Sequence, residues 1–284
     1  MSKETHKIGL VTDDICSLPE KITKDFGIEI VKTKLFFPEA ERFPEGNLYQ
    51  IMQETRATPK TSAPSPGDYL KAYKKVLKEA EKVLVVTVSS GLSTTYNSAF
   101  QAKELMPDPS KVIVFDSFHA SASEGLLVIR VAELIKEGKT TEEIVRVFEG
   151  LREKAKLFAC LKDTFWVEKI GRMSPRQGMI FNFLQEAGIQ PIIGIKKGKI
   201  GFVGFNFWTR NITKALFNQL KHQSKKEKIR IGINYTDNIT LAHNLKEKIE
   251  RELKAEVIFV SLVPPIVGAN SGPGTLIAGS MPYA

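Results

Sequence analysis

Short apolar runs alternate with longer segments of helical periodicity through the first half of the chain. The runs contain few polar side chains, which is typical of strands buried on both faces of a parallel sheet. They predict strands at residues 7–12, 28–37, 83–88 and 112–115. The periodic segments predict helices at residues 69–81, 95–106 and 125–137, and a fourth ending near 156. This alternation predicts an α/β domain with a doubly wound parallel sheet.

Two helix starts carry recognisable capping residues. Ser17 precedes Pro19 and is predicted to cap a helix, since proline is tolerated in a first turn. Thr140 and Glu143 have the spacing of a capping box, in which each side chain bonds the backbone N–H of the other residue. The sequence therefore predicts helices that begin at both places.

The pattern changes after residue 156, where strands begin to follow one another. We expect strands at 157–161, 189–195, 200–207, 229–235 and 257–262, and helices at 211–221 and 239–253. The strand at 257–262 is predicted to be the last, before a glycine-rich tail. These elements predict an α+β domain with an antiparallel sheet, so we divide the chain into domains at 1–156 and 157–284.

Small hydroxyl side chains concentrate in two loops, residues 61–67 and 89–95. In a parallel sheet, ligands bind beyond the carboxyl ends of the strands, and the second loop follows the predicted strand 83–88. Ser93, Thr94 and Thr95 also open a helix, whose free N–H groups favour a carboxylate or phosphate. Helix capping alone is the competing interpretation. No histidine or carboxylate stands beside these hydroxyls in sequence, which favours binding over nucleophilic catalysis.

Several other residues are candidates for chemistry. Asp13 and Asp14 could bind a metal, Asp116 follows a strand, and His119 could act as a general base, although a third metal ligand is not evident in sequence. Arg172 follows a glycine turn and could recognise an anion or lie on the surface. We favour a role for the aspartates in orienting the loop hydroxyls, and we expect no metal and no cofactor.

Composition narrows the class of protein. Apolar runs are all shorter than the ~18 to 20 residues that cross a bilayer, and the two cysteines, Cys16 and Cys160, have no metal or redox spacing. We therefore expect a cytoplasmic protein without a membrane span. The net charge of +9 includes a lysine-rich segment at 221–230, but aromatic residues do not interleave with it, so we expect no nucleic-acid partner. Aromatic residues are dense between 158 and 217, which indicates a core or the wall of an apolar pocket.

Several motifs, taken together and in order, resemble the DegV family over nearly the whole chain. The most specific are the TSxPSPG run at 61–67 and the SSGLS-x-TY-x-SA run at 89–99. The weaker ones are the residues around Asp13, Phe115-Asp116-Ser117, Gly171-Arg172-Met173-Ser174 and the GAxxGPG run at 268–274. The resemblance implies a bacterial fatty-acid-binding protein. Such a protein is not itself an enzyme: it holds a long acyl chain in a tunnel between two domains and presents the carboxylate to a separate fatty acid kinase subunit.

The resemblance also implies roles for particular residues. Thr61 and Ser93 would hold the carboxylate, with Ser62, Thr94 and Thr95 close by and Asn270 and Arg172 beside the pocket. Arg210 would dock the kinase, and the acyl chain would lie under the aromatic-rich second domain. The sequence departs from the family pattern at Thr94, where glycine is common, at Asn270, where histidine is common, and at Asp14, where serine is common. We expect these departures to preserve binding of the carboxylate headgroup and to affect coupling to a kinase.

Two other functions compete with the carrier. The first is a metal-dependent hydrolase or transferase that uses Asp13 or Asp116, with His119 as a possible base. The second is a regulatory or nucleic-acid partner driven by the positive charge, whose binding would fall steeply with salt.

Overall fold

The computed structural model describes residues 7–43, 46–207 and 211–283. Its strands are β1 (Ile8–Asp13), β2 (Glu29–Val31), β3 (Lys34–Phe36), β4 (Lys60–Ser62), β5 (Lys82–Thr87), β6 (Val112–Asp116), β7 (Lys156–Cys160), β8 (Gln190–Lys196), β9 (Lys199–Asn206), β10 (Ile229–Tyr235), β11 (Ala255–Leu262) and β12 (Leu276–Pro282). Its helices are α1 (Glu20–Asp25), α2 (Leu48–Thr55), α3 (Pro66–Val76), α4 (Thr95–Glu104), α5 (Ser121–Lys136), α6 (Thr141–Lys154), α7 (Phe165–Lys169), α8 (Pro175–Glu186), α9 (Ile212–Ser224), α10 (Ile239–Glu252) and α11 (Pro265–Ser271).

A four-stranded parallel sheet forms the first lobe, in the order β2-β1-β5-β6. Successive side chains of a strand point to opposite faces, so the apolar runs supply two cores at once. Val11 and Val85 pack against α3 and α4 on one face, whereas Leu10 and Leu84 pack with α5 on the other. This arrangement confirms the predicted α/β lobe with helices on both faces of its sheet.

A six-stranded mixed sheet forms the second lobe, in the order β11-β10-β12-β7-β8-β9. Only the β10–β11 pair is parallel, and the other neighbours are antiparallel. Helices α9 and α10 cover its outer face through a cluster that includes Leu216, Leu220 and Leu245. The predicted α+β character of this half is confirmed.

Helix α5 lies between the two sheets. Residues at twelve of its sixteen positions are buried, on all sides of the helix. Its hydrophobic cluster includes Leu84 of the first sheet and Leu157 and Ile277 of the second, so one core runs through both lobes. A helix that is apolar all round is characteristic of such a central position. The two lobes are therefore joined by shared packing as well as by the chain.

The predicted strand at 28–37 is wrong in one respect, because the chain leaves the sheet in its middle. Asp14 accepts hydrogen bonds from both the backbone N–H of Thr33, at 3.0 Å, and its hydroxyl, at 2.8 Å. These bonds separate β2, which stays in the sheet, from β3, which pairs antiparallel with β4 in a separate two-stranded ribbon. The ribbon, β3 and β4, carries Thr61 and Ser62.

The predicted glycine-rich tail is also wrong, because it contains α11 and β12. Strand β12 lies in the middle of the second sheet, between β10 and β7, so the strand at 257–262 is not the last. All seven of its residues are buried, and α5 crosses it so closely that a Cβ atom at Gly279 would lie 2.4 Å from the backbone of Ala122. Glycine at 279 is therefore required for the close contact between the lobes.

Of the two predicted caps, one is confirmed and one is wrong. Thr140 and Glu143 form a capping box at the start of α6. Ser17 does not cap α1: it adopts a left-handed conformation, with φ of 54°, and the N-cap is Pro19. Across the described ranges, every helix falls short of the length or the hydropathy that crossing a bilayer demands.

Candidate functional site: a cavity between the two lobes

A cavity of about 400 Å³ lies between the lobes. Its floor on the first lobe comes from residues just beyond the carboxyl ends of the parallel strands, namely Ile15, Thr33, Val88 and Ala120. Its other walls come from the second sheet, from α11 and from the ribbon. The volume falls within the range of about 300–1,000 Å³ that is typical of small-molecule sites.

The wall contributed by the second sheet is aliphatic. Ala159 pairs with Ile193 on one side and with Ile277 on the other, and Ile195 pairs with Ile200, so these side chains form one continuous apolar strip. Leu157 lies beside them in the cavity wall. The strip gives the cavity a surface that would bind hydrocarbon and that offers no hydrogen-bonding side chain.

The sequence indicates a core or the wall of an apolar pocket for the aromatic-rich segment, and the structure favours the core, since no aromatic side chain among the described residues lines the cavity. Trp166, Phe181 and Phe217 are instead buried, in the packing of the second lobe. Phe205 and Phe207, at the end of β9, are exposed to solvent. The dense aromatic segment therefore contributes mainly to the core and partly to the surface.

Polar side chains from four separate segments line the same cavity. They include six of the residues predicted from sequence: Thr61, Ser62, Ser93, Thr94, Arg172 and Asn270. Thr61 and Ser62 lie on the ribbon, Ser93 and Thr94 precede α4, Arg172 follows α7, and Asn270 lies on α11. One cavity thus brings together residues that are more than 200 positions apart in the chain.

Thr95 differs from the other predicted residues. It is fully buried and is not among the residues that line the cavity. Its hydroxyl lies 2.8 Å from the Ser93 hydroxyl, and its backbone N–H donates to the Ser93 oxygen at 3.3 Å. In this position Thr95 supports the orientation of Ser93 and does not itself face the cavity.

Asn270 presents an amide to the cavity. In the part of the chain that the structure describes, its buried side-chain oxygen has no hydrogen-bond partner. A buried polar atom without a partner costs free energy, so a ligand that bonds this amide would be favoured. Amide oxygen and nitrogen can exchange places by a flip of the side chain, and Asn270 can therefore donate or accept.

The carboxylates near the cavity hold the loops that form it. Asp13 is fully buried and accepts hydrogen bonds from the backbone N–H groups of Val88, at 2.9 Å, and Ile15, at 3.1 Å. Burial raises the pKa of Asp13 to about 7. Asp116 accepts from the N–H groups of Ser90 and Phe118. These contacts support the predicted role in orienting the loops, because Val88 lines the cavity and Ser90 opens the Ser93 loop.

The contacts of the same residues do not favour a metal-dependent enzyme. His119 is buried, its Nε2 lies 3.0 Å from the backbone oxygen of Arg152, and burial lowers its pKa to about 4. Within 7–43, 46–207 and 211–283, no three histidine, cysteine or acidic side chains are grouped so that they could hold a metal ion. Asp13 and Asp116 accept hydrogen bonds from backbone N–H groups, so their role is structural.

A turn of the second lobe contacts the first lobe next to the cavity. The Ser89 hydroxyl donates to the backbone oxygen of Gly198, at 2.8 Å, in the turn between β8 and β9. A Cβ atom at Gly91 would lie 2.5 Å from the same oxygen. The Ser89–Gly91 segment therefore holds the hairpin turn against the first lobe. Gly91 is two residues before Ser93, so this contact lies close to the Ser93 hydroxyl in the chain.

Four further polar residues line the cavity that sequence reasoning missed: Thr33, Ser121, Ser271 and Thr275. Thr33 fell inside a predicted strand, and Ser271 adjoins Asn270 in the glycine-rich run. Ser121 donates to Asn234 at 2.8 Å, a contact between lobes that has no sequence signal. Arg210, predicted to dock a kinase, lies outside the described residues.

The fold and the cavity define a two-lobed α/β protein with a binding cleft between its lobes. A family model described as "Uncharacterised protein, DegV family" matches residues 7–280. A DegV domain-containing protein of Clostridium acetobutylicum is 31% identical over 275 residues, which cover 94% of this chain and 95% of that relative. The chain therefore belongs to the DegV family.

Solved structures share the whole fold. One, described as fatty acid binding of a DegV family protein from Thermus thermophilus, has a TM-score of 0.86 at 25% identity, covering 98% of this chain and 100% of the other. Another is the fatty acid kinase B3 protein of Streptococcus pneumoniae loaded with linoleic acid. Its TM-score is 0.78 at 22% identity, covering 97% of this chain and 99% of the other, a likeness of fold.

Proposed function

We propose that this protein is a carrier that binds a long-chain fatty acid in the cavity between its lobes. The observation that carries the proposal is the division of one cavity into an aliphatic strip and a polar set of hydroxyl, amide and guanidinium groups. A fatty acid has the same division. Each methylene removed from water contributes about 0.8 kcal/mol, so the strip accounts for affinity and the polar set for orientation.

The carboxylate of the ligand would be held by Thr61 and Ser93. Ser62 and Thr94 extend the same set of hydroxyls, and Asn270 adds an amide whose oxygen or nitrogen can turn to the ligand. The backbone N–H groups at the start of α4 would favour a negative charge in front of Ser93. Arg172 would supply the full positive charge at the cavity wall.

The ligand class is supported by relatives of the same family. The Thermus thermophilus protein is described as binding fatty acid, and the Streptococcus pneumoniae protein is described as loaded with linoleic acid. The second is named as part of a fatty acid kinase. We propose on this basis that the present chain is a non-catalytic partner that presents the carboxylate to a kinase subunit, with Arg210 in the docking surface.

A carrier of this kind would work in the cytoplasm. The two cysteines, Cys16 and Cys160, are free and buried, which fits a reducing compartment.

Direct identification of bound lipid tests the proposal. The protein is purified without detergent, extracted with organic solvent, and the extract is analysed by mass spectrometry for fatty acids per mole of protein. We expect close to one fatty acid per chain, and a loss of that lipid in Ala159→Trp, which fills the aliphatic strip. A protein without co-purified fatty acid that also fails to bind added oleate would disprove the function.

The kinase partnership needs a separate test. The lipid-loaded protein is mixed with a purified fatty acid kinase subunit and ATP, and the acyl phosphate is trapped with hydroxylamine. Product that depends on both proteins supports the partnership. A loaded protein that yields none with any kinase of this type would leave the carrier function standing and remove the kinase.

A further inference from the structure

The ribbon that carries Thr61 and Ser62 is weakly supported by its own structure. It consists of only two strands, and all six of its residues are exposed. An isolated two-stranded ribbon has marginal stability in water. Its position above the cavity must therefore depend on contacts that are made elsewhere.

Arg56, at the end of α2, makes such a contact with the second lobe. Its guanidinium nitrogen Nη1 lies 2.8 Å from a carboxylate oxygen of Asp163. Its guanidinium carbon lies 4.1 Å from the ring centroid of Phe165 and 5.3 Å from that of Trp166. We call this set, Arg56 with Asp163, Phe165 and Trp166, the Arg56 latch.

Both sides of the Arg56 latch lead directly to the cavity. On one side, Arg56 is five residues before Thr61. On the other, Trp166 is followed by Val167, Ile170 and Arg172, which all line the cavity. Trp166 itself is fully buried and packs against Gly272, so this side of the latch is anchored in the second lobe.

A second contact holds the same helix to the residues around Asn270. A Cβ atom at Gly268 of α11 would lie 2.2 Å from the hydroxyl oxygen of Tyr49 in α2. Helix α2 is therefore seated on α11 by close packing and oriented toward α7 by the Arg56 latch. Together with the Asp14–Thr33 hydrogen bonds before β3 and the Lys34–Asp68 ion pair, these two contacts hold the ribbon in place.

We propose that Arg56 is a positioning residue, which places Thr61 over the cavity by fastening α2 to the second lobe and which governs release of the ligand. The inference rests on the proposed function. About half of the Arg56 side chain and a third of the Asp163 side chain are exposed, so the ion pair is open to solvent and sensitive to salt. Such a contact can break and re-form while the lobes stay packed on α5.

Ligand release provides the first test. The full-length protein is stripped of lipid and loaded with cis-parinaric acid, a fluorescent fatty acid, and its release is followed by stopped flow. Loss of an exposed ion pair and its ring contact makes release about fivefold faster in Arg56→Ala, with Arg56→Lys intermediate. Arg251→Ala, which removes an exposed ion pair with Glu252 far from the cavity, is the matched control and leaves release unchanged.

A double-mutant cycle tests whether Arg56 acts through Thr61. Thr61→Ala is measured in the wild-type and in the Arg56→Ala background. Because Thr61 is no longer held over the cavity without Arg56, the second background shows a clearly smaller effect of Thr61→Ala. Equal effects in both backgrounds, or wild-type release from Arg56→Ala, overturn the inference.

The outcomes separate the two proposals. A wild-type protein that fails to bind cis-parinaric acid contradicts the carrier function, whereas binding with additive effects contradicts only the role of Arg56. Where Arg56→Ala does not fold, Asp163→Asn removes the charge partner and is measured in the same way. Raising the salt concentration speeds release more in the wild type than in Arg56→Ala, because both proteins keep the salt-sensitive contact of the carboxylate with Arg172 but only the wild type has the Arg56–Asp163 ion pair.

Discussion

At the scale of single residues, the cavity combines side chains that each do little alone. Thr61 and Ser93 are ordinary hydroxyls, but both line the same cavity, Thr61 from the ribbon and Ser93 from the loop before α4. Ser93 is further oriented by its contact with Thr95. A carboxylate bound between them would accept hydrogen bonds whose direction the protein has already set, which reduces the cost of ordering on binding.

The contribution of these hydroxyls can be measured directly. Thr61→Ala and Ser93→Ala should each weaken the binding of oleate by about 1.5 to 3 kcal/mol, the usual value of a hydrogen bond to a charged group. Titration calorimetry on stripped protein gives the affinities. Ser224→Ala, which removes a half-buried hydroxyl at the end of α9 that bonds the Lys221 backbone oxygen, serves as the control. Unchanged affinity in the double variant would remove these residues from the site.

His119 should make the stability of the protein depend on pH. Its pKa is about 4 when folded and 6.5 when unfolded, because burial disfavours the charged ring. The hydrogen bond to the Arg152 backbone oxygen opposes this lowering of the pKa, whereas the charges of Lys156 and Arg152 add to it. Below pH 6.5 the unfolded chain binds the extra proton, so stability falls as the pH drops from 6.5 to 4, by up to about 3 kcal/mol.

His119→Gln isolates this effect, since a glutamine amide can still donate to the Arg152 oxygen. Urea unfolding of both proteins at several pH values gives the difference in stability. The wild type should lose stability relative to the variant as the pH falls through this window. Parallel curves would show that His119 does not titrate as expected.

Sequence reasoning predicted which residues would meet at one cavity better than it predicted the rest of the cavity wall. The hydroxyl loops could be predicted because they follow strands or open helices, and six of the seven predicted residues line one cavity. Ser121 and Thr275 could not be predicted, since they reach the cavity only through the crossing of α5 and β12. Ser93 and Thr95 are both hydroxyl residues at the start of α4, so their sequence could not tell them apart. Only the packing of the folded chain shows that Ser93 lines the cavity and Thr95 does not.

At the scale of elements, β12 determines how closely the lobes approach. Gly279→Ala should destabilise the protein by about 1 to 3 kcal/mol, because its Cβ atom would meet the backbone of α5, which cannot move aside as a side chain could. Gly201→Ala, in β9, has open space around the new methyl group and is the matched control. Equal stability of the two variants in urea would contradict this account.

Strands β12 and β3 escaped sequence reasoning for two different physical reasons. Strand β12 is buried on both faces and rich in small residues, so it lacks the alternation that marks a strand and has only one β-branched residue, Ile277. Strand β3 is separated from β2 by a side chain far away in the sequence, Asp14. The long parallel strands β1 and β5 were predictable because each is a continuous apolar run.

At the scale of the whole molecule, ligand binding and folding should be linked. The cavity exists only when both lobes are packed on α5, so a fatty acid binds the folded chain and not the unfolded one. At a free concentration 100 times the dissociation constant, the ligand adds about 2.7 kcal/mol of stability. Calorimetry of stripped and oleate-loaded protein should show a higher melting temperature for the loaded form. Identical melting temperatures would contradict binding in the cavity.

The position of α5 also limits how this architecture can be taken apart. A fragment that ended after α6 would expose the side of α5 that belongs against β10 and β12, and the complementary fragment would lack the helix that fills its inner face. Exchange of one lobe between relatives, by recombination or by engineering, would therefore have to match the central helix to both halves at once. Variation among such proteins is easier in the ribbon, which can change without disturbing that shared helix.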